Sequence, residues 1–169
     1  MQATSLLPGV LKASDGQFVR LSQLGVRFLL RGEQTDGRLA VVEHPMPPRS
    51  LGAPVHTHTN EDEISYVAEG TVGVQIGDRV YTARAGDTIF KPRGIPHAFW
   101  NPADAPARVH EIITPAGFER YFEEAAALFA AAGESLPGPA QVAAIQARYG
   151  LQMDFASIPR LVQMYGLRV

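Results

Sequence analysis

Residues 54–70 read PVHTHTNEDEISYVAEG. His56 and His58 are separated by one residue, and side chains two positions apart in a β-strand project from the same face. Glu63 begins the next extended run, after a loop short enough for the chain to turn back. Two imidazoles and one carboxylate are ligands that suit Zn, Fe, Ni, Mn or Cu. This stretch therefore predicts two neighbouring strands that together present a metal site.

A third imidazole comes from residues 86–101, which read GDTIFKPRGIPHAFWN. Most of these ions need a third imidazole to be held firmly, and His97 is the candidate. Pro92 and Pro96 stiffen the loop before His97, which lowers the entropy lost when the ring is fixed in place. The second stretch therefore completes a predicted set of three histidines and one carboxylate.

The two stretches resemble the two sequence motifs of the cupin superfamily. Nine residues at the motif spacing carry the resemblance: His56, His58, Glu63 and Gly70 in the first motif, and Gly86, Pro92, Gly94, His97 and Asn101 in the second. Residues 71–85 separate the motifs, and this length is similar to the short spacer of microbial single-domain cupins. One position departs from the pattern, because Ser50 stands where the family has its leading glycine.

The resemblance implies an all-β fold, a cupin-type double-stranded β-helix (jelly-roll barrel) with C-terminal α-helices packed on it. It also implies one divalent transition metal ion (Fe, Ni, Mn, Zn or Cu) inside the barrel. The implied ligands are His56, His58, Glu63 and His97. Glu61 is the competing carboxylate, since it is also close to the histidines in sequence. Glu63 is preferred because it begins a strand and keeps the motif interval before Gly70.

A more detailed resemblance points to the quercetin-dioxygenase-like branch of single-domain bacterial cupins, or monocupins. It is carried by residues 61–70, 90–101 and 115–119. It implies an oxidoreductase, a metal-dependent dioxygenase that acts on a small phenolic or flavonol-like substrate, with Glu63 as ligand or as catalytic base. Two alternatives stay open. One is a metal-binding cupin with isomerase, lyase or decarboxylase activity, and the other is a non-catalytic small-molecule binding module.

Three further residues are candidates for lining a substrate pocket. Phe99 shares the face of the third histidine by period-two alternation, whereas Trp100 faces away. Ser65 shares the face of the ligand carboxylate for the same reason. His110 lies in a late strand and lines the pocket if it faces inward, although an ordinary strand histidine is the favoured interpretation. His44 precedes a proline-rich stretch and is interpreted as structural.

Short β-branched or aromatic runs separated by turn residues fill residues 38–114, which is typical of a sandwich or small barrel. The runs are residues 39–43, 63–67, 71–76, 79–82, 88–91, 97–101 and 108–114. The pattern then changes, and apolar residues at spacings of three and four predict helices over residues 118–133, 140–149 and 158–165. We therefore expect a barrel over residues 1–115 and a helical extension of the same unit over residues 116–169.

The composition limits the partners. The chain has 169 residues, of which 46% are hydrophobic, and a formal net charge of −2. The near-neutral charge argues against nucleic-acid and anionic-membrane binders. There is no cysteine, which excludes disulfides and thiolate ligands. The apolar run 125–132 is too short to cross a bilayer.

The expected partner is a small-molecule substrate. The first five residues show no basic start followed by an apolar stretch, so no signal peptide is expected and a cytoplasmic location is the default. A homodimer is expected by resemblance to small cupins, and because the N-terminal strands and the helix over residues 118–129 offer apolar surface.

Overall fold

The computed structural model describes residues 9–12, 14–133 and 135–169, and the N-terminal residues that carried the signal-peptide expectation lie outside this part. Eleven strands occur in the described residues: β1 (Phe18–Leu21), β2 (Leu24–Leu30), β3 (Ala40–Met46), β4 (Leu51–His58), β5 (Asp62–Glu69), β6 (Thr71–Ile76), β7 (Arg79–Arg84), β8 (Thr88–Lys91), β9 (His97–Trp100), β10 (Ala107–Thr114) and β11 (Leu151–Asp154). The helices are α1 (Glu119–Ala132), α2 (Pro139–Arg148) and α3 (Ser157–Tyr165), with a 3-10 turn at Gly32–Thr35.

Two antiparallel sheets face each other. One has the strand order β1-β2-β3-β10-β5-β8, and the other has the order β11-β4-β9-β6-β7. This architecture, with helices at the C-terminal end, confirms the predicted fold class. None of the helices in the described residues is long and apolar enough to cross a membrane.

Strict alternation on the central strands decides which side chains enter the barrel. Along β3, the buried positions are Ala40, Val42, His44 and Met46. Along β10, they are Ala107, Val109, Glu111 and Ile113. Most of these residues join the hydrophobic core between the sheets. Two polar side chains, His44 and Glu111, therefore project inward among apolar neighbours, while His110 projects outward.

A second, smaller core joins the barrel to α3. Its members lie on the outer face of the five-stranded sheet and on the C-terminal segment: Leu51, Ala98, Trp100, Leu161 and Leu167. Trp100 stacks on Tyr165 with ring centroids 4.2 Å apart. Trp100 thus faces away from the barrel interior, as the alternation predicts.

The C-terminal segment is built into the barrel and is not helical throughout. Strand β11 was not predicted, and it pairs with β4 so that Leu151 lies opposite His58 and Met153 opposite His56. The backbone N–H of Val55 donates to Ser157 Oγ, 2.9 Å away, at the start of α3. Helix α1 buries Phe122 against the barrel core. Part of the apolar helix face that motivated the homodimer prediction is therefore covered within the chain.

We expect Leu161→Ala to lower the free energy of unfolding by about 2–5 kcal/mol, because Leu161 is fully buried in the second core and its loss leaves a cavity. Met164→Ala, on the same helix at a position that is 60% exposed, is the control and should change it by less than about 0.5 kcal/mol. Urea denaturation followed by the fluorescence of the single tryptophan and by far-UV circular dichroism measures both. If the C-terminal segment unfolds separately, the two signals will give different midpoints.

Candidate metal centre

Three imidazoles and one carboxylate meet inside the barrel. All four residues are buried, and each offers a ligand atom within 4.8 Å of the others: His56, His58, Glu63 and His97. Strand β4 supplies two histidines, and β9 places His97 opposite His56 in the ladder. Glu63 reaches the cluster from β5, in the facing sheet. The structure thus brings together all the ligands that the sequence predicted.

Backbone carbonyl groups orient two of the rings. His56 Nδ1 lies 2.8 Å from the carbonyl oxygen of Pro54, and His97 Nδ1 lies 2.9 Å from that of Ile95. A carbonyl oxygen only accepts, so each Nδ1 carries the proton and each Nε2 offers a lone pair. Burial lowers the pKa of His56 well below its ordinary value and lowers that of His97. Both rings are therefore neutral, as a metal ligand must be.

The two candidate carboxylates, Glu63 and Glu61, lie on opposite sides of the His58 ring. Glu63 Oε1 lies 3.3 Å from His58 Nε2, on the side of the cluster, whereas Glu61 Oε2 lies 3.7 Å from His58 Nδ1, on the far side of the ring. Burial opposes ionisation of His58, but Glu63 and Glu61 outweigh it and raise its pKa to about 9. The structure brings Glu63, and not Glu61, into the cluster. Glu61 instead faces the ring nitrogen that points away from it.

The donor set fits a divalent transition metal ion. Both ring nitrogens of His58 and the Oε2 atom of Glu61 are buried with no hydrogen-bond partner in the part of the chain that the structure describes. Buried polar atoms are normally satisfied, so three such atoms at one place call for an explanation. A cation held by His58 Nε2 supplies one, and the bound ring would then donate its Nδ1 proton towards Glu61, as ligating histidines commonly do.

A buried lysine compensates the ligand carboxylate. Lys91 Nζ lies 2.9 Å from Glu63 Oε2 and 2.7 Å from Glu111 Oε2. Burial favours the neutral acid, but Lys91 and His58 hold the pKa of Glu63 well below its ordinary value. Ser65 Oγ donates to Glu111 at 2.8 Å, and burial raises the pKa of Glu111 to about 7 although Lys91 opposes it. Glu63 is thus kept ionised, as a ligand requires.

Sequence reasoning missed Lys91 and Glu111. The sequence does contain a signal for them, because each lies two positions after an apolar residue and so shares its inward face. Lys91 follows Ile89 in this way, and Glu111 follows Val109. Charged residues are almost never fully buried unless they are paired. An opposite pair of inward charges on two predicted strands is therefore a sign of a buried ion pair.

A cavity of about 270 Å³ opens onto the cluster. His56 and Glu63 form part of its wall, and most of the remaining wall is apolar: Leu24, Phe99, Phe118, Phe122, Leu151 and Met153. Among the described residues that line it, none is a lysine or an arginine. The cavity therefore has a polar end with the predicted ligands and an extended apolar body.

Of the three residues predicted to line the pocket, one lines the cavity and two do not. Phe99 lines the cavity. Ser65 is buried on the inward face of β5, but it serves Glu111 and does not line the cavity. The suggestion that His110 lines the pocket is wrong, because the alternation of β10 turns Glu111 inward and His110 outward. His110 Nε2 lies 3.4 Å from Glu43 on the outer surface. Arg93, next to the site in sequence, is paired with Asp62 at 2.8 Å.

Comparison with known proteins finds a similarity to the cupin domain. Residues 42–113 match the protein family described as Cupin domain. The barrel is therefore similar to the cupin domain in the sequence of residues 42–113 and in its fold. No curated protein sequence matches the chain significantly.

Solved structures share the fold at low sequence identity. A predicted oxalate decarboxylase from Thermotoga maritima is 22% identical, with a TM-score of 0.60, over 63% of this chain and 99% of that one. KdgF from Halomonas sp. is 16% identical, with a TM-score of 0.59, over 68% and 99%. The polyketide cyclase RemF from Streptomyces resistomycificus is 25% identical, with a TM-score of 0.56, over 64% and 80%. These likenesses concern the fold, and the quercetin-dioxygenase-like branch stays a prediction.

We expect the purified protein to bind close to one divalent transition metal ion per chain, and His97→Ala to weaken that binding severely because it deletes a ligand. The loss should exceed the roughly 10- to 100-fold that follows loss of a hydrogen-bond partner of a ligand. Metal analysis after loading with Fe, Ni, Mn, Zn or Cu, and calorimetric titration, measure it.

His110→Ala is the matched control for this prediction, because it also deletes a strand histidine but on the outer surface. It should bind metal as the unaltered protein does. Glu61→Gln should fall between the two, with a loss of about 10- to 100-fold. Normal metal binding by the His97→Ala variant would show that the four residues are not the ligand set.

We expect His44 to make the fold sensitive to acid. Burial lowers the pKa of His44 from 6.5 to about 4, so the unfolded chain takes up the proton first. The stabilisation is complete above pH 6.5 and is lost as the pH falls from about 6.5 to about 4, by about 3 kcal/mol in total. Urea denaturation at several pH values should show the advantage of the unaltered protein over His44→Asn shrinking across this window. A constant difference would contradict the prediction.

Proposed function

We propose that the protein is a metal-dependent enzyme, a dioxygenase-like oxidoreductase that acts on a small phenolic or flavonol-like substrate. The observation that carries the proposal is the opening of a three-histidine, one-carboxylate cluster into a largely apolar cavity. Ligand pockets are commonly apolar with a few well-placed polar groups, and this cavity has that character.

The residues that would hold the ion are His56, His58, Glu63 and His97. When bound, a divalent ion with open coordination positions would supply Lewis acidity at the polar end of the cavity. The pairing of Lys91 with Glu63 keeps that carboxylate ionised, so it is ready as a ligand. The carbonyl groups of Pro54 and Ile95 fix the rings of His56 and His97 with Nε2 towards the cluster.

The rest of the cavity would bind and orient the substrate. Phe99, Phe118 and Phe122 offer aromatic surface on which an apolar ring packs and from which water is excluded. Glu63 lies on the cavity wall, so its ionised carboxylate is placed to accept a hydrogen bond from a substrate hydroxyl at the polar end. A substrate with one hydroxyl group near the cluster and an apolar body would therefore match both ends.

The charges of the cavity disfavour strongly anionic substrates. Neither lysine nor arginine lines it in the described part of the chain, and Lys91 is already shared by two carboxylates. A phosphate or a small dicarboxylate usually needs such cations. An isomerase or lyase for an apolar substrate, or a non-catalytic binding module, are the alternatives. The open cavity beside the candidate ligands argues against a purely structural metal site, for which a filled barrel is expected, and turnover separates an enzyme from a binding module.

We expect the Fe-, Ni-, Mn- or Cu-loaded protein to consume O2 with at least one of quercetin, 3-hydroxyflavone and catechol. An oxygen electrode and absorbance of the aromatic substrate measure the reaction. The Zn-loaded protein is the control for redox chemistry, because Zn²⁺ is not redox-active, and His97→Ala is the control for the site. Tight, metal-dependent binding without turnover would favour the binding module. The absence of both binding and turnover would contradict the proposal.

A further inference from the structure

His44 occupies an inward position of β3 where apolar residues are the rule. The other inward residues of this strand are Ala40, Val42 and Met46, and His44 itself is 2% exposed. Its ring packs against Phe122, edge to face, with centroids 5.5 Å apart, and lies 5.9 Å from Phe99. His44 also lines the cavity that contains His56 and Glu63, but it is not one of the clustered ligands. It is therefore a polar group in the apolar body of the cavity.

One hydrogen bond fixes the state of this ring. His44 Nδ1 lies 3.0 Å from the carbonyl oxygen of Gly25 on β2. Because a carbonyl oxygen only accepts, Nδ1 carries the proton, and Nε2 keeps a lone pair. Nε2 has no hydrogen-bond partner among the described residues. Burial lowers the pKa of His44 to about 4, so the ring is neutral at physiological pH and Nε2 can only accept.

We propose that Nε2 of His44 accepts a hydrogen bond from a hydroxyl or N–H group of the substrate, which makes His44 a specificity-determining residue. The inference rests on the proposed function, since it takes the cavity as the substrate site. A cavity acceptor without a donor loses the hydrogen bond that it would make to water, so a ligand that lacks the donor binds more weakly. The preferred substrate thus carries a second polar group, away from the one that meets the metal ligands.

Two amide substitutions separate the two nitrogen atoms. In His44→Asn the amide nitrogen lies near the position of Nδ1, so the bond to Gly25 is kept and the Nε2 acceptor is lost. In His44→Gln the longer amide reaches the position of Nε2 and keeps an acceptor there. His110→Asn, on the outer face of β10, is the matched control. Near-UV circular dichroism establishes that each variant folds.

The probes are 3-hydroxyflavone and its 2′-, 3′- and 4′-hydroxy derivatives, which add a donor to the ring remote from the chelating oxygens. Affinities for the Zn-loaded protein are measured by fluorescence titration. We expect one derivative to bind about tenfold tighter than 3-hydroxyflavone, as one neutral hydrogen bond to a buried group allows. The ratio should fall to about one in His44→Asn, be kept at least partly in His44→Gln, and be unchanged in His110→Asn. Metal-dependent binding with a ratio of one, or a ratio that survives in His44→Asn, would overturn the inference and leave the proposed function standing.

If no flavonol binds, that result counts against the proposed function and does not test the inference about His44. A second measurement then tests the inference on its own. ¹⁵N spectra of histidine-labelled protein report the proton position on His44. We expect the proton on Nδ1, and we expect phenol, but not toluene, to shift the Nε2 resonance. A proton on Nε2, or an Nε2 resonance that phenol leaves unchanged, would overturn the inference.

Discussion

The ionised carboxylate of Glu63, buried between two sheets, is the constraint on which the rest of the site depends. An ion taken from water into a protein interior costs several kcal/mol unless it is paired. Lys91 pairs with Glu63 from the neighbouring strand β8, and this lysine would itself be costly without a further partner. Glu111 on β10 is that partner, and Ser65 completes its hydrogen bonds. The candidate ligand set is thus one end of a network that crosses three strands.

Strand register explains why this network forms and why the sequence did not predict it. Lys91 lies opposite Glu63 in the β5–β8 ladder, and Glu111 lies opposite Ser65 in the β5–β10 ladder. Residues opposite one another on one face are close enough to interact. The order of strands in a sheet does not follow from spacing along the chain, so a reader of the sequence sees three isolated charges. The histidine cluster could be predicted because His56 and His58 lie two positions apart in a single strand, so their spacing along the chain is enough to place them on one face.

The strands and helices could be predicted from the sequence where the local pattern of apolar residues determines them. The central strands and all three helices lie where periodicity placed them, within a few residues. Strand β11 was missed because four residues after Gly150 carry too little alternation, and its pairing with β4 decides its structure. The sequence pattern leaves the orientation of His110 open, because one strand has two possible phases. Apolar Val109 and Ile113 fix the phase and turn Glu111 inward.

The cavity wall draws on two parts of the chain. The four clustered candidate ligands lie within residues 42–113, the region that matches the cupin domain. Phe118, Phe122 and Met153, which form much of the apolar wall, lie beyond that region in the C-terminal segment. Similarity to the cupin domain therefore bears on the end that would hold an ion, whereas the apolar wall combines residues inside the match, such as Phe99, with residues outside it. Proteins that share the barrel can for this reason differ in the molecule they bind, since part of the cavity wall lies outside the shared domain.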